Sequence, residues 1–205
     1  DMLEKIKWLG HSSVRIDAEK IIYIDPWKIK GGPRADVILI SHSHGDHLSP
    51  ADVQKIQKAD TVIIASGDAA GQLTGDVRAL KPGGQAAVPG VTVQAVPAYN
   101  LNKSFHPKSN DWIGFLITVG NKTIYYGGDT DLIPEMKDIR ADILILPVGG
   151  TYTMTAKEAA EAANLIRPEA AIPIHYGDIV GTAADAEQFK KLCKAPVEIK
   201  TAVPG

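Results

Sequence analysis

Two aliphatic runs, Val37-Ile38-Leu39-Ile40 and Ile143-Leu144-Ile145-Leu146, each follow the tripeptide Arg-Ala-Asp, which occupies residues 34–36 and 140–142. Runs this short read as buried strands and fall far below the ~20 apolar residues of a membrane span. Nothing in the chain is expected to cross a bilayer. Upstream of each run a second feature recurs: Ile21-Ile22-Tyr23-Ile24-Asp25 in one window and Ile124-Tyr125-Tyr126-Gly127-Gly128-Asp129 in the other. Each window therefore reads as a strand ending at an aspartate, a loop, Arg-Ala-Asp and a buried aliphatic strand, with Asp25 and Asp129 in matching positions. Two similar halves predict two sheets packed as a pseudo-symmetric sandwich.

The remainder of the 205 residues has the texture of short strands and turns, with 19 glycines and 13 prolines separating runs rich in Val, Ile, Thr and Tyr. Further strands are expected over residues 4–9, 13–17, 61–65, 91–97, 112–119, 170–174 and 197–200. Helical signals are fewer. Ser49 before Pro50 marks a helix start running to Lys58, Thr155 and Glu158 form a capping box ahead of an alanine-rich stretch to Ile166, and a third helix is expected over residues 182–191. A strand-rich front followed by alternating helix and strand implies an α/β fold with sheets covered by helices. Lys+Arg at 22 against Asp+Glu at 24 gives a net charge of −2, so the basic excess of a nucleic-acid binder is missing, a local patch aside. The lone Cys193 forms no internal disulfide, and the first residues lack the apolar centre of a secretory signal, which together read as cytoplasmic.

The chemistry concentrates directly after the first aliphatic run, in His42-Ser43-His44-Gly45-Asp46-His47, which holds three of the chain's six histidines. Imidazole nitrogens and a carboxylate suit zinc and its neighbours. In an extended segment residues two apart point the same way, so His42 and His44 can share one ion. Gly45 then lets the chain turn and aim Asp46 and His47 at a second. The plain alternative is a polar loop whose histidines are solvated or cap the helix at Ser49.

The pattern His42-x-His44-x-Asp46-His47 resembles the signature of the metallo-β-lactamase superfamily, and the similarity extends over most of the chain. The resemblance implies a four-layer αββα sandwich of two mixed β-sheets covered by helices, forming one domain over residues 1–205. It also implies a third histidine for the first ion, an aspartate after a later strand bridging both ions, and a last histidine for the second. Residues 126–131 are similar to the bridging segment and 172–177 to the final one, which points to Asp129 and His175; Asp129 otherwise reads as a turn residue. His106 is the only histidine between residues 47 and 129 and is the remaining candidate, with a water in its place as the alternative. The implied ligands are His42, His44, Asp46, His47, His106, Asp129 and His175, holding two divalent ions, zinc first and manganese or iron as alternatives.

Within the superfamily, Gly10-His11-Ser12-Ser13 and residues 149–154 resemble the small-hydrolase branch that includes L-ascorbate-6-phosphate lactonase-like proteins. On that resemblance His11 faces the cleft as a substrate or supporting contact, where otherwise it is a turn histidine in an exposed hairpin. Tyr152 would hydrogen-bond a substrate oxyanion or simply pack. Asp25 is expected to brace the metal loop by hydrogen bonds, or to be an ordinary strand-end turn.

The expected activity is hydrolysis by a metal-bound hydroxide, because coordination lowers the pKa of water from 15.7 toward ~7. Asp46 would orient that water and accept its proton, and the net positive charge of the centre would attract a small anionic substrate carrying an ester, lactone or phosphoester bond. Lys103 and Lys108 flank His106 and would suit a phosphate or carboxylate, unless they are merely solvated. The rival activity is an RNA or DNA phosphodiesterase on the same fold, and a non-catalytic metal-binding protein is the third reading. Self-association into a homo-oligomer is left open.

Overall fold

The computed structural model describes residues 1–205. Strands β1 (Ile6–Gly10), β2 (Ser13–Asp17), β3 (Ile21–Ile24), β4 (Val37–Ile40), β5 (Val62–Ser66) and β6 (Asp76–Leu80) form one sheet in chain order. Strands β7 (Gln85–Val88), β8 (Val91–Pro97), β9 (Ile113–Val119), β10 (Lys122–Tyr126), β11 (Ile143–Pro147) and β12 (Ala170–Ile174) form the other. Both sheets are mixed: β1 to β3 and β7 to β10 pair antiparallel, and β3 to β6 and β10 to β12 pair parallel.

Burial on both faces explains why the aliphatic runs do not alternate with polar residues. Along β4, Val37 and Leu39 join the central core between the sheets, whereas Ile38 and Ile40 point outward and pack with Val53 and Ile56 of helix α2 (Pro50–Ile56) and Ala69 of helix α3 (Gly67–Ala70). These residues come before α2 in the chain but after a short four-residue helix α1 (Met2–Lys5) at the start. On the other side, helix α4 (Ala156–Ile166) packs on β11 and helix α5 (Ala183–Leu192) on β12. The buried face of α4 is almost entirely alanine, which lets its backbone approach the sheet closely. The four-layer order helix, sheet, sheet, helix follows. No helix is long and apolar enough to cross a membrane.

The internal repeat has a structural counterpart with one correction. Asp36 accepts from the Ile21 N–H at 2.8 Å, and Asp142 accepts from the Thr123 N–H at 2.8 Å, so each Arg-Ala-Asp aspartate ties its own strand to the one before it. The Asp25 N–H donates to Leu39 O and the Gly127 N–H to Ile145 O. Asp25 therefore corresponds to Gly127, not to Asp129, because the second half extends two residues further before its carboxylate. Two strands escaped the sequence reading, β6 and β7, both sheet edges with one partner each. Asp-Val-Arg-Ala-Leu and Gln-Ala-Ala-Val carry the charges and weak β-formers that edges tolerate. The strand expected over 197–200 reduces to a single bridge from Val197 to Ala171.

Candidate metal centre

The strand ends of both sheets deliver the candidate residues to one edge of the sandwich. Residues 41–47 leave β4 and turn, with the N–H groups of His47 and Leu48 donating to His44 O, before Ser49 caps α2 by accepting from the Asp52 N–H at 3.2 Å. Asp129 follows β10 through Gly128, which has φ +69° and where a Cβ would stand 3.0 Å from Ile113 O. His11 lies in the β1–β2 turn and His175 just after β12. The N–H of His175 and the indole N–H of Trp8 both donate to His11 O at 2.9 Å, which locks these two loops together. His11, Asp25 and His175 all have left-handed backbones, at φ 48°, 46° and 61°. Such conformations cost of order 1–3 kcal/mol each and gather at functional sites.

All the residues expected to ligate converge. Asp129 Oδ2 stands 3.1 Å from His47 Nε2, 3.1 Å from His106 Nε2 and 3.6 Å from His42 Nε2, and its Oδ1 is 3.3 Å from His175 Nε2. His42 Nε2 is 3.2 Å from His44 Nδ1. Candidate ligand atoms gather within 4.8 Å of one another in two adjoining groups at the site, His42, His44, His106 and Asp129 in one and His11, Asp46, His47 and His175 in the other. A third group, Asp25, His42 and His47, is tied by the Asp25–His47 hydrogen bond. His11 is thus no exposed hairpin residue. It is buried, and its Nε2 meets Asp46 Oδ2 at 2.7 Å.

For three of the rings, the partner behind settles where the lone pair points. Asp25 is fully buried and takes four hydrogen bonds: the Ser41 N–H on Oδ1, and the Ser41 hydroxyl, the Tyr126 hydroxyl and His47 Nδ1 on Oδ2. With its proton given to Asp25, Ser41 Oγ accepts from His42 Nδ1 at 2.9 Å. Asn100 Oδ1 accepts from both the N–H and Nδ1 of His106, at 2.9 and 3.1 Å. A ring that donates through Nδ1 presents a bare Nε2, so His42, His47 and His106 all offer that nitrogen inward. His47 Nε2, His106 Nε2, His175 Nε2 and Asp129 Oδ1 are buried there with no well-directed hydrogen bond. Buried polar atoms normally find partners, and a cluster of bare imidazole nitrogens about a carboxylate is what divalent cations satisfy.

The electrostatics of most of the set favour that donor role. His47 differs, since burial opposes its charge but Asp129 and Asp25 drive it well above its ordinary value, so a cation bound there would take the place of its Nε2 proton. Burial, reinforced by neighbouring His47, pushes His42 well below its ordinary value, and burial with His106 lowers His44, so both stay neutral. For Asp129 burial acts upward, but the His175 and His47 imidazoles outweigh it and hold the carboxyl well below the usual range. Burial likewise opposes ionisation of Asp46, and the hydrogen bond with His11 and the adjacent His47 imidazole overcome it.

Three supporting residues carried no signal in the sequence. Trp112 packs its indole 4.9, 4.7 and 5.7 Å from the rings of His42, His44 and His106, and its N–H is held by Asp68 at 2.8 Å. Asn100 orients His106 and also donates to Tyr152 O at 2.9 Å. Asp68 accepts from Ser43 within the histidine loop. A tryptophan at a strand start and an asparagine in a loop look like any others until the fold closes. A pocket of about 160 Å³ opens above the two groups, lined by His44, Asp46, Phe105, His106, Asp129, Tyr152, His175 and Ile179. Lys103 and Lys108 do not line it: Lys103 is paired with buried Asp131, and Lys108 lies over the Tyr99 ring.

Several known proteins are similar to this chain along most of its length. The family model for a beta-lactamase superfamily domain matches residues 5–175. A UPF0173 metal-dependent hydrolase of Pyrococcus abyssi is 33% identical over 98% of this chain and 97% of its own length. A second, from Staphylothermus marinus, is 35% identical over 98% and 96%. Among solved structures, a candidate metal-dependent hydrolase from Parabacteroides distasonis superposes with a TM-score of 0.84 at 35% identity, covering 95% of this chain and 91% of the other. A metallo hydrolase from Ignicoccus hospitalis gives 0.79 at 26% identity, covering 98% and 95%.

Proposed function

Because the chain belongs to the beta-lactamase superfamily and, within it, to the UPF0173 metal-dependent hydrolases, we propose that it hydrolyses an ester, lactone or phosphoester bond with the help of two divalent ions. His42, His44 and His106 would hold one, Asp46, His47 and His175 the other, and Asp129 would reach both. Zinc suits this nitrogen-rich set, with manganese or iron as alternatives. Bound there, the ions would polarise the scissile oxygen and lower the pKa of water toward ~7. The observation that carries this reading is the set of buried, unpartnered Nε2 atoms of His47, His106 and His175 around Asp129, with His47 fixed from behind by Asp25 and His106 by Asn100.

The chain's own residues have separable tasks. Asp46 lines the pocket and stays ionised, so it accepts a hydrogen bond from the attacking water and orients it; a carboxylate held this acidic stores a proton poorly. His11 fixes Asp46 through Oδ2. Tyr152 stands on the pocket wall, where its hydroxyl would donate to the developing oxyanion.

Metal analysis of the purified protein, followed by a panel of acyl esters, lactones and phosphodiesters with zinc, manganese or iron restored, tests the proposal. Two ions per chain and turnover of one bond class are expected, and Asp46→Ala should lower that turnover at least ~100-fold while the chain stays folded. Failure to bind any of the three ions, or full turnover by Asp46→Ala, overturns it.

A further inference from the structure

The pocket above the ion positions has two unlike parts. Its floor is the ligand set, and its wall is apolar: Phe105, Tyr152 and Ile179, with no lysine or arginine among the lining residues. Phe105 and Ile179 remain 44% and 49% exposed, unusual for large apolar side chains beside a polar cluster.

The wall is built, not loose. The Phe105 ring meets Tyr152 edge-on, with centroids 4.7 Å apart at 80°. Asn100 joins the two loops that carry them, accepting from the His106 N–H and donating to Tyr152 O. Ile179 sits at the tip of a tight loop in which the Gly177 N–H donates to Val180 O. That loop is latched to the other sheet by Asp178 and Lys28, at 3.0 Å. The cations nearest in sequence are engaged elsewhere, Lys103 with Asp131 and Lys108 on Tyr99.

We infer that the wall selects the substrate: an acyl ester or lactone whose carbonyl carries one apolar group, a short chain or a single ring, seated against Phe105, Tyr152 and Ile179. The inference rests on the hydrolase reading above and names its substrate class. An uncharged acyl group loses water on entering this wall and gains contact with it, whereas a phosphorylated group meets no basic side chain beside the ions. The volume of about 160 Å³ sets the size, since a cavity of roughly 150 Å³ accommodates benzene and the reacting bond itself takes the floor.

The test uses the zinc-loaded full chain and needs no turnover. Acetate, butyrate, hexanoate, benzoate and inorganic phosphate are titrated calorimetrically, the carboxylates standing for the products of acyl ester hydrolysis. Affinity is expected to rise about two- to fourfold per added methylene until the wall is covered, with benzoate well above acetate and phosphate below hexanoate. Phe105→Ser and Ile179→Ser, both at exposed positions, should flatten the series, and Phe105→Leu should restore most of it. A chain-length-independent affinity in the wild type, phosphate binding tighter than hexanoate, or an unchanged slope in both serine variants overturns the inference. A graded series with no hydrolysis of any acyl ester, lactone or phosphodiester leaves the wall's preference standing and sinks the hydrolase reading instead.

Discussion

His11 and Asp25 show how single residues are given work by their surroundings. Both lie at the ends of strands with left-handed backbones, and both are buried behind the histidine loop. Asp25 answers four donors at once, so it cannot be replaced by an apolar residue without leaving buried hydrogens unpaired. His11 acts through Asp46. Removing it in His11→Ala frees the Asp46 carboxylate to swing, and about a tenfold weaker affinity for one of the two ions is expected, since loss of an outer-shell partner costs 10–100-fold. Competition titration with a chelating dye checks this, and the other ion's affinity should stay within a factor of about two. Equal affinities in variant and wild type would show that His11 packs without positioning anything. The sequence marked His11 as a cleft candidate, but its partner lies 35 residues away, so no local pattern names Asp46.

At the scale of elements, the twin aspartates Asp36 and Asp142 do the same mechanical job in each sheet: they start a buried parallel strand by accepting the N–H of the preceding one. Asp36→Ala and Asp142→Ala should each cost about 1–2 kcal/mol, read from denaturant midpoints at pH 7. Asp36 adds a pH signature. Burial raises its pKa, but Lys58 and the Ile21 N–H outweigh that and lower it in the folded chain. A folded-state pKa below the unfolded one, near 3.9, gives stability that is present above about pH 4 and lost as the pH falls through the folded value. The gap between wild type and Asp36→Ala should therefore narrow below about pH 4; a constant gap at every pH would assign the loss to packing alone. The strands that alternation or aliphatic runs identify are those with a core to face, the edges β1 and β12 among them. The edge strands β6 and β7 pack on one side only, so their sequences carry little of the pattern that would reveal them.

For the whole molecule, the candidate ligands come from loops spread between residues 42 and 175, and only the segment 42–47 is local. The unfolded chain cannot assemble such a set, so ion binding is linked to folding. Zinc at a hundred times its Kd should stabilise the protein by about 2.7 kcal/mol for each ion bound, and a chelator should lower the melting temperature by the corresponding amount. An identical melting curve with and without zinc would mean that the centre does not bind it. The aliphatic runs, the Arg-Ala-Asp repeat, the capping boxes and the histidine hexapeptide are local patterns. From them the α/β class, the paired sheets and the bulk of the ligand candidates were readable, because side-chain period and short spacing are set within a few residues of chain. Which residue of one half matches which in the other, that Asn100 and Trp112 brace the histidines, and that Phe105 and Ile179 rather than lysines border the pocket were decided only by tertiary structure. Those relations join loops from different sheets, and the distance between two loop tips depends on how the sheets stack, which no stretch of sequence specifies alone.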